Sequence, residues 1–440
     1  MSKLEGRSKS DLIARFLGKN GAASGGGRAA GAAAQPTQTR VSQAFTRFDH
    51  HPGYQKILVP KVAADRFGVP NPFFKVHEGI AGATTRVGGR ELINFANYNY
   101  LGLNGHPSVN QAASDAILRY GTTPSASRLV AGERPVQQEL EQALAALYEV
   151  EDCVVFVSGH ATNVTTIGYL FGPKDLILHD SLIHNSVLEG ARLSGATRRS
   201  FPHNDAAALD AILAEVRPRF ERVLIVIEGL YSMDGDIPDL PAFIDIKRRH
   251  AAFLMVDEAH SLGVLGQSGR GLREHFGVAG KDVDIWMGTL SKTLASCGGY
   301  IAGERALVEH LKYAAPGFVY SVGISPPLAA ASLEALRIML TEPQRVHQLR
   351  ARTGQFLQRM QEYGINTGYA QGYAVVPVIT GSSIKAGKLS EQMFQAGVNA
   401  QPIIYPAVEE KAARLRFFFS AMHSEEQITT TCELLRKLVG

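Results

Sequence analysis

Cysteine is scarce in this chain, three in 440 residues, and there is a single tryptophan. Cys153, Cys297 and Cys432 lie in no metal-type spacing and are too few for a disulfide framework. A reducing compartment, the cytoplasm, is the natural reading. An excess of one charge is also lacking. The 45 basic and 41 acidic residues leave a net charge of +4, too balanced for a nucleic-acid surface or a membrane patch. No apolar run reaches about 18 residues without a charge, so no transmembrane helix is expected. The zinc pattern HExxH is missing. So is the phosphate loop. The pairs Gly18-Lys19, Gly280-Lys281 and Gly387-Lys388 are followed by Asn, Asp and Leu, never by Ser or Thr. That last absence matters for "LMVDEAHSLGVLGQSGRG" (254–271), because Asp257-Glu258-Ala259-His260 spells the box of a nucleotide-driven helicase. Without a phosphate loop the NTPase reading loses its main support.

What is present is ordinary globular material, 45% hydrophobic and 20% charged, enough for one large or two modest domains. The N-terminal stretch is different. "GKNGAASGGGRAAGAAAQPTQ" is too poor in large apolar residues to offset its ordering, and residues 1–45 are expected to be a disordered tail. "SKSDLIARFL" within it has the pattern of a short amphipathic helix from Ser10 or Asp11, a mobile tail or a docking segment. An N-terminal arm (46–105) follows.

From about residue 90, short β-rich runs alternate with helical ones. "CVVFVSG" (153–159), "DLILHD" (175–180), "RVLIVIEG" (222–229), "AFLMVDE" (252–258) and "VDIWMGTL" (283–290) are nearly continuously apolar, as strands covered on both faces are. Helical patterns separate them at 136–150, 205–220 and 239–251. The alternation predicts an α/β fold, with a mostly parallel sheet covered by helices, over 106–340. Ligands of such sheets sit at the C-terminal strand ends. Past residue 341 come a long helix ending at Gly364, short strands at 374–381 and 414–421, and a last helix with Ser424 and Gln427 in capping-box spacing. Residues 341–440 are expected to form a smaller α+β domain.

Two residues just past buried strands suggest chemistry. Lys292, in "GTLSKTLASCGGY" (288–300), sits in an apolar strand–loop setting that lowers an amine's pKa and makes it a candidate Schiff-base nucleophile. Asp257, from another strand, could keep a pyridinium nitrogen protonated. Together they are what pyridoxal phosphate requires. The plainer readings are a snorkelling lysine and a helix-capping aspartate.

The blocks around them resemble, in order, those of the α-oxoamine synthase family of fold-type-I pyridoxal-phosphate enzymes. The resemblance runs from about residue 90 to the C-terminus: "YNYLGL" (98–103), "SGHATN" (158–163), "HDSLIHNSVLEGARLSGA" (179–196) followed by "FPHND" (201–205), "IEGLYSMDGDIPDL" (227–240), the two blocks already quoted, and "ARLRFFFSAMHSEEQI" (413–428). The resemblance implies pyridoxal 5'-phosphate held by Lys292, with Asp257 at the ring nitrogen, His260 and Ser232 at the phenolic oxygen, and His184 stacked on the ring. The phosphate would be held at Gly159 and Thr289, with Ser321 contributed by the partner of a homodimer. His160 stands where the family commonly has an aromatic, as a cofactor contact or a residue that only shapes the pocket. Arg416 would bind the amino acid carboxylate, with Arg414 on the same strand face as the alternative. Tyr98 and Asn99 stand where carboxylate or acyl contacts fall, or are packing and turn residues.

The implied reaction joins an amino acid to an acyl thioester, on coenzyme A or an acyl carrier protein, with loss of CO2. "YNYLGL" leans toward a serine palmitoyltransferase-like activity; 8-amino-7-oxononanoate synthase-like and glycine C-acyltransferase activities, and a carrier-protein-linked α-oxoamine synthase of secondary metabolism, are the alternatives. A non-catalytic scaffold would not need Lys292, Asp257, His260 and Arg416 all intact. One stretch departs. "GTTPSASRLVAGERPVQQELE" (121–141) has Gln137 where many members have His. It lines the acyl channel in the family, so the departure bears on the acyl donor.

Overall fold

The structure is a computed structural model that describes residues 41–66 and 70–439. The Gly/Ala-rich stretch and the helix expected from Ser10 lie outside the described residues. The chain divides into two units, residues 1–73 and 74–440. The described part of the first holds two short turns of 3-10 helix, Gln43–Phe45 and Phe48–His50, and the helix Pro52–Arg66.

The second unit contains thirteen strands among the described residues. They are β1 (Thr84–Val87), β2 (Arg90–Asn94), β3 (Asp152–Phe156), β4 (Leu176–Asp180), β5 (Thr197–Phe201), β6 (Val223–Glu228) and β7 (Phe253–Asp257), then β8 (Ile285–Thr289), β9 (Gly299–Gly303), β10 (Val375–Ile379), β11 (Val398–Asn399), β12 (Gln401–Ile403) and β13 (Arg414–Phe418). Seven form the main sheet in the order β3-β9-β8-β7-β6-β4-β5. Only β9 runs against the others. The continuous apolar runs have a clear cause. On β6, Val223, Ile225 and Ile227 join one hydrophobic cluster while Leu224 and Val226 join another. Successive side chains point to opposite faces, and helices cover both.

Three antiparallel strands, in the order β10-β13-β12, make a small C-terminal sheet. The long helix beside it is Gln344–Glu362, with Gly364 at φ 68° just beyond its end. The last helix carries the expected capping box. Ser424 Oγ accepts from the Gln427 N–H at 3.1 Å, and Gln427 Oε1 accepts from the Ser424 N–H at 3.0 Å. A third sheet pairs β1 with β2 and β2 with β11. No described helix is long and apolar enough to cross a membrane.

The small sheet is tied to the main one at the loop after β6. Arg414 Nη1 donates to Asp234 Oδ1 at 2.8 Å and to the Met233 carbonyl at 3.1 Å. Both partners of this ion pair are buried. Gly235, at φ 79°, lets the loop approach β10 so closely that a Cβ there would lie 2.0 Å from the Val375 carbonyl oxygen. Asp234→Ala would strand the Arg414 charge, and the expected loss is about 3 kcal/mol of unfolding free energy in urea titration. A loss below about 0.5 kcal/mol would mean that the pair behaves as a surface one.

Candidate active site

The titratable side chains converge where the parallel strands end. Strand β3 leads to Ser158-Gly159, β4 to His184, β6 to Ser232, β7 ends in Asp257, and β8 leads to Lys292. Neighbouring β7 and β8 run parallel, with Asp257 opposite Met287, so Asp257 and the loop carrying Lys292 leave the sheet side by side.

Lys292 is only partly exposed. Desolvation pushes its amine down to about 8, against the pull of the Asp257 and Glu228 carboxylates and with a push from Arg416. Near neutral pH a sizeable fraction is therefore the free amine, the nucleophilic form. Asp257 is buried and well supplied with donors. Its Oδ2 accepts from Asn163 Nδ2 at 2.9 Å and its Oδ1 from the Ala259 N–H at 3.0 Å.

His260 is buried, and its Nδ1 lies 2.7 Å from the Tyr100 hydroxyl. Burial and the nearby Lys292 and Arg416 charges hold it well below the ordinary histidine range, so it is neutral. Desolvation by the site walls also lowers His184, although its ring keeps an exposed face; Lys292, His160 and Arg416 add to that effect and Asp257 opposes it. His160 is exposed and meets His184 edge to face, centroids 6.4 Å apart. Ser232 is buried. Its N–H donates to Glu228 Oε2 at 3.2 Å, and its carbonyl accepts from Arg416 Nη1 at 3.0 Å.

Arg416 and Arg414 now separate. Arg414 is engaged with Asp234, Met233 and Ala412. Arg416 makes contacts only to the Ser232 carbonyl and the Met233 sulfur through one nitrogen, stacks 4.5 Å over Phe418, and leaves Nε buried without a partner. Asn99 divides from Tyr98 in the same way. The Asn99 amide bonds the backbone of Ala81 and Asn104, which is the turn reading. The Tyr98 ring lies 5.6 Å from Lys292 Nζ and packs on Phe418 and His260. Ser321 bonds only its neighbour's carbonyl, Val322, at 3.2 Å; nothing links it to Thr289 or Lys292 of its own chain.

Three groups had escaped the sequence reading: Tyr100, Asn163 and Glu228. Each sits inside a quoted block, but block membership does not reveal which way a side chain points. Glu228 is buried beside Asp257, and desolvation pushes it up to about 8. Its Oε1 has no partner.

These residues suit pyridoxal phosphate. Ser158-Gly159 opens the helix Gly159–Leu170, an anion site by its free backbone amides. A Cβ at Gly159 would come within 2.8 Å of Thr289 Oγ1, so the cradle requires glycine. The Thr289 hydroxyl, bonded to Ser291 Oγ at 2.7 Å, faces the same turn. Three buried polar atoms around the cleft, Asn163 Oδ1, Glu228 Oε1 and Arg416 Nε, have no hydrogen-bond partner. A cavity of about 650 Å³ lies at the opposite end of the parallel strands, where they begin, lined by Phe171, Arg222, Phe253 and Asp284 among others. None of the site residues lines it, and side-chain chemistry rather than size locates the site.

The chain belongs to the aminotransferase class I and II family, whose model matches residues 90–435. Within it the protein is an α-oxoamine synthase, a pyridoxal-phosphate-dependent acyltransferase of fold type I. It is 40% identical over 342 residues to an 8-amino-7-oxononanoate synthase of Symbiobacterium thermophilum, covering 78% of this chain and 87% of that one. It is 36% identical over 363 residues to that of Thermoanaerobacter pseudethanolicus, covering 82% and 91%. A solved serine palmitoyltransferase from S. paucimobilis, with bound pyridoxal phosphate and myriocin, superposes with a TM-score of 0.84 at 26% identity, over 88% of this chain and 97% of that one.

Two measurements test the geometry. Capture of pyridoxal phosphate by the full-length protein, followed by visible absorption, should speed up as pH rises through about 8 and then level, as the Lys292 amine loses its proton. A midpoint near the ordinary lysine value of 10.5 would contradict the desolvated amine. Arg416→Ala should raise KM for the amino acid roughly 10- to 100-fold, as expected for loss of a charge-assisted hydrogen bond, and Arg414→Ala should instead lower the melting temperature. The reverse pattern would make Arg414 the carboxylate anchor.

Proposed function

We propose that this enzyme joins alanine to a seven-carbon dicarboxylic acyl thioester, as the name 8-amino-7-oxononanoate synthase implies. Carbons 8 and 9 of that product, with the amine, are what remains of alanine after its carboxyl leaves as CO2. Carbons 1 to 7 are the acyl group, and the thiol of coenzyme A or an acyl carrier protein is the leaving group. The observation that carries this reading is the 40% identity to the Symbiobacterium protein across most of both chains. The lean toward serine and a long acyl chain rests on six residues, "YNYLGL", and on a structural likeness at 26% identity; it gives way.

Pyridoxal phosphate, when bound, supplies an electron sink for the α-carbanion of the amino acid. The protein supplies the rest. Lys292 holds the cofactor through its amine and takes the α-proton of the substrate. Asp257 keeps the ring nitrogen protonated. His260 and Ser232 donate to the phenolic oxygen, and His184 covers the ring face. The Gly159 amide and the Thr289 hydroxyl hold the phosphate. Arg416 holds the substrate carboxylate, and this orients the bond to be broken. Tyr98 lines the wall beside Lys292, and His160 shapes the rim.

The enzyme acts as a homodimer, with Ser321 of the partner subunit reaching the phosphate. Support comes from large apolar side chains on adjoining loops, Val130 and Tyr320, which are 82% and 87% exposed. The cytoplasm suits three free cysteines, two of them buried.

The holoenzyme should respond to alanine by a shift in its visible absorption and, given a pimeloyl thioester, should release 8-amino-7-oxononanoate detectable by mass. A response to serine alone, with turnover of a long-chain acyl thioester, would overturn this reading in favour of the palmitoyltransferase one.

A further inference from the structure

Four side chains form one hydrogen-bonded chain behind the site. His184 begins it, at the N-cap of the helix Asn185–Ser194. The backbone N–H of Ser186 donates to His184 Nδ1 at 3.3 Å, and Ser186 Oγ lies 2.7 Å from the same nitrogen. A ring nitrogen that accepts from a backbone N–H carries no proton of its own. His184 therefore has its proton on Nε2, and the Ser186 hydroxyl is the donor in the shorter contact. Ser186 Oγ in turn accepts from Asn163 Nδ2 at 2.9 Å, and that same nitrogen donates to Asp257 Oδ2 at 2.9 Å. The amide has two N–H groups, one for each partner. Turning it over would set Asn163 Oδ1 against a carboxylate, so its orientation is fixed as well. Asn163 and Ser186 are wholly buried, on two helices packed side by side.

We infer that Asn163 and Ser186 are positioning residues: Ser186 fixes His184 as the Nε2–H tautomer, and Asn163 holds Asp257 as an oriented anion. The inference rests on the reading that His184 and Asp257 flank the cofactor ring. One amide thus sets the proton inventory on both sides of the ring before any ligand binds. His184 offers a donor, Nε2–H, to the open side of the site, and Asp257 offers a full negative charge to the ring nitrogen. The arrangement follows the rule that the partner of one imidazole nitrogen decides the role of the other.

The test is ¹⁵N NMR of histidine-labelled full-length protein, with and without pyridoxal phosphate, using His184→Gln to assign the signal. His184 should show the Nε2–H tautomer in both states. Ser186→Ala keeps the longer backbone N–H contact but loses the shorter hydroxyl one, so it should admit a detectable Nδ1–H population and lower kcat roughly tenfold with little change in KM for the amino acid, and Ser186→Thr should restore both. Asn163→Asp should weaken pyridoxal phosphate binding roughly tenfold or more, since it replaces a charge-assisted donor. A wild-type His184 protonated on Nδ1 would overturn the inference, and so would a Ser186→Ala protein with unchanged tautomer and kcat. The wild-type tautomer needs no variant, so a variant that fails to fold does not remove the test. A protein that bound no pyridoxal phosphate yet showed the Nε2–H form would sink the functional reading, and with it the positioning role, and leave only the tautomer assignment standing.

Discussion

The active site depends on one electrostatic constraint: an amine and two carboxylates crowded together where a buried sheet ends. Neither Lys292 nor the acids can be fully hydrated there, so each group's protonation is decided by its neighbours. The two acids are supplied unequally. Asp257 receives N–H donors from Asn163 and Ala259, which orient its carboxylate. Glu228 receives backbone N–H donors from Ser232 and His184, but burial outweighs them and pushes it up to about 8, so at neutral pH it is mostly the neutral acid. A Glu228 that burial keeps mostly neutral spares the desolvated amine a second buried anion. It leaves Asp257 as the charge available to a pyridinium nitrogen, and it leaves Lys292 close to losing its proton. Two like groups given different roles by their surroundings is how a single site does acid and base chemistry.

Loops carry most of these groups, and the loops are held by charge as well as by packing. His203 bridges Asp180 and Asp236, at 2.9 and 2.8 Å. Its hydrogen bonds to the two carboxylates outweigh its burial and raise it to about 10. Asp180 also caps the turn toward His184, through the Leu182 N–H at 2.8 Å, while Asp236 belongs to the loop that carries Ser232. The bridge therefore joins the supports of two site residues. A histidine raised in the folded state stabilises fully below its unfolded value of 6.5, and that contribution is lost as pH rises through about 10. Glu258 plays a similar part on the other side of Asp257. It accepts from the Ser261 hydroxyl and from the Leu272 N–H at 2.9 Å, and so ties down the segment that follows His260.

The main sheet was legible wherever burial on two faces left continuous apolar runs. Strands β4, β6, β7 and β8 fall within four of the five runs picked out from sequence, and β3 overlaps the fifth, starting one residue before it. Strands β5 and β9 do not, and each has a reason. β5 is an edge strand, "TRRSF", with four of its five residues exposed, so apolar content could not mark it. β9, "GYIAG", begins and ends with glycine because it packs tightly: a Cβ on Gly299 would lie 2.5 Å from Thr162 Oγ1. Side-chain direction was the other limit. Arg414 and Arg416 share a strand face, as the period of two requires, and only the position of Asp234 separates their roles. Asn99 shows the same limit, since its amide turns back into its own loop. Tyr100 and Asn163 act across 160 and 94 residues of chain, and no local pattern encodes such partners.

Gln137, the departure from the family pattern, has a structural role in the fold. At 121–141 the substitution bore on the acyl channel and hence on the acyl donor. In the fold, Gln137 is fully buried in the first turn of the helix Pro135–Tyr148. Its Oε1 accepts from the Arg134 N–H at 2.9 Å and its Nε2 donates to the Ile324 carbonyl at 2.7 Å. An amide can do both at once, as one tautomer of a histidine could. The residue is thus a bracket between a helix start and the loop 320–325, which carries Ser321. Beside it, Arg128 is buried between Glu133 and Glu141 and anchors the same bracket. The Gln137 side chain is fully buried, so an effect of this exchange on substrate choice would pass through the position of that loop.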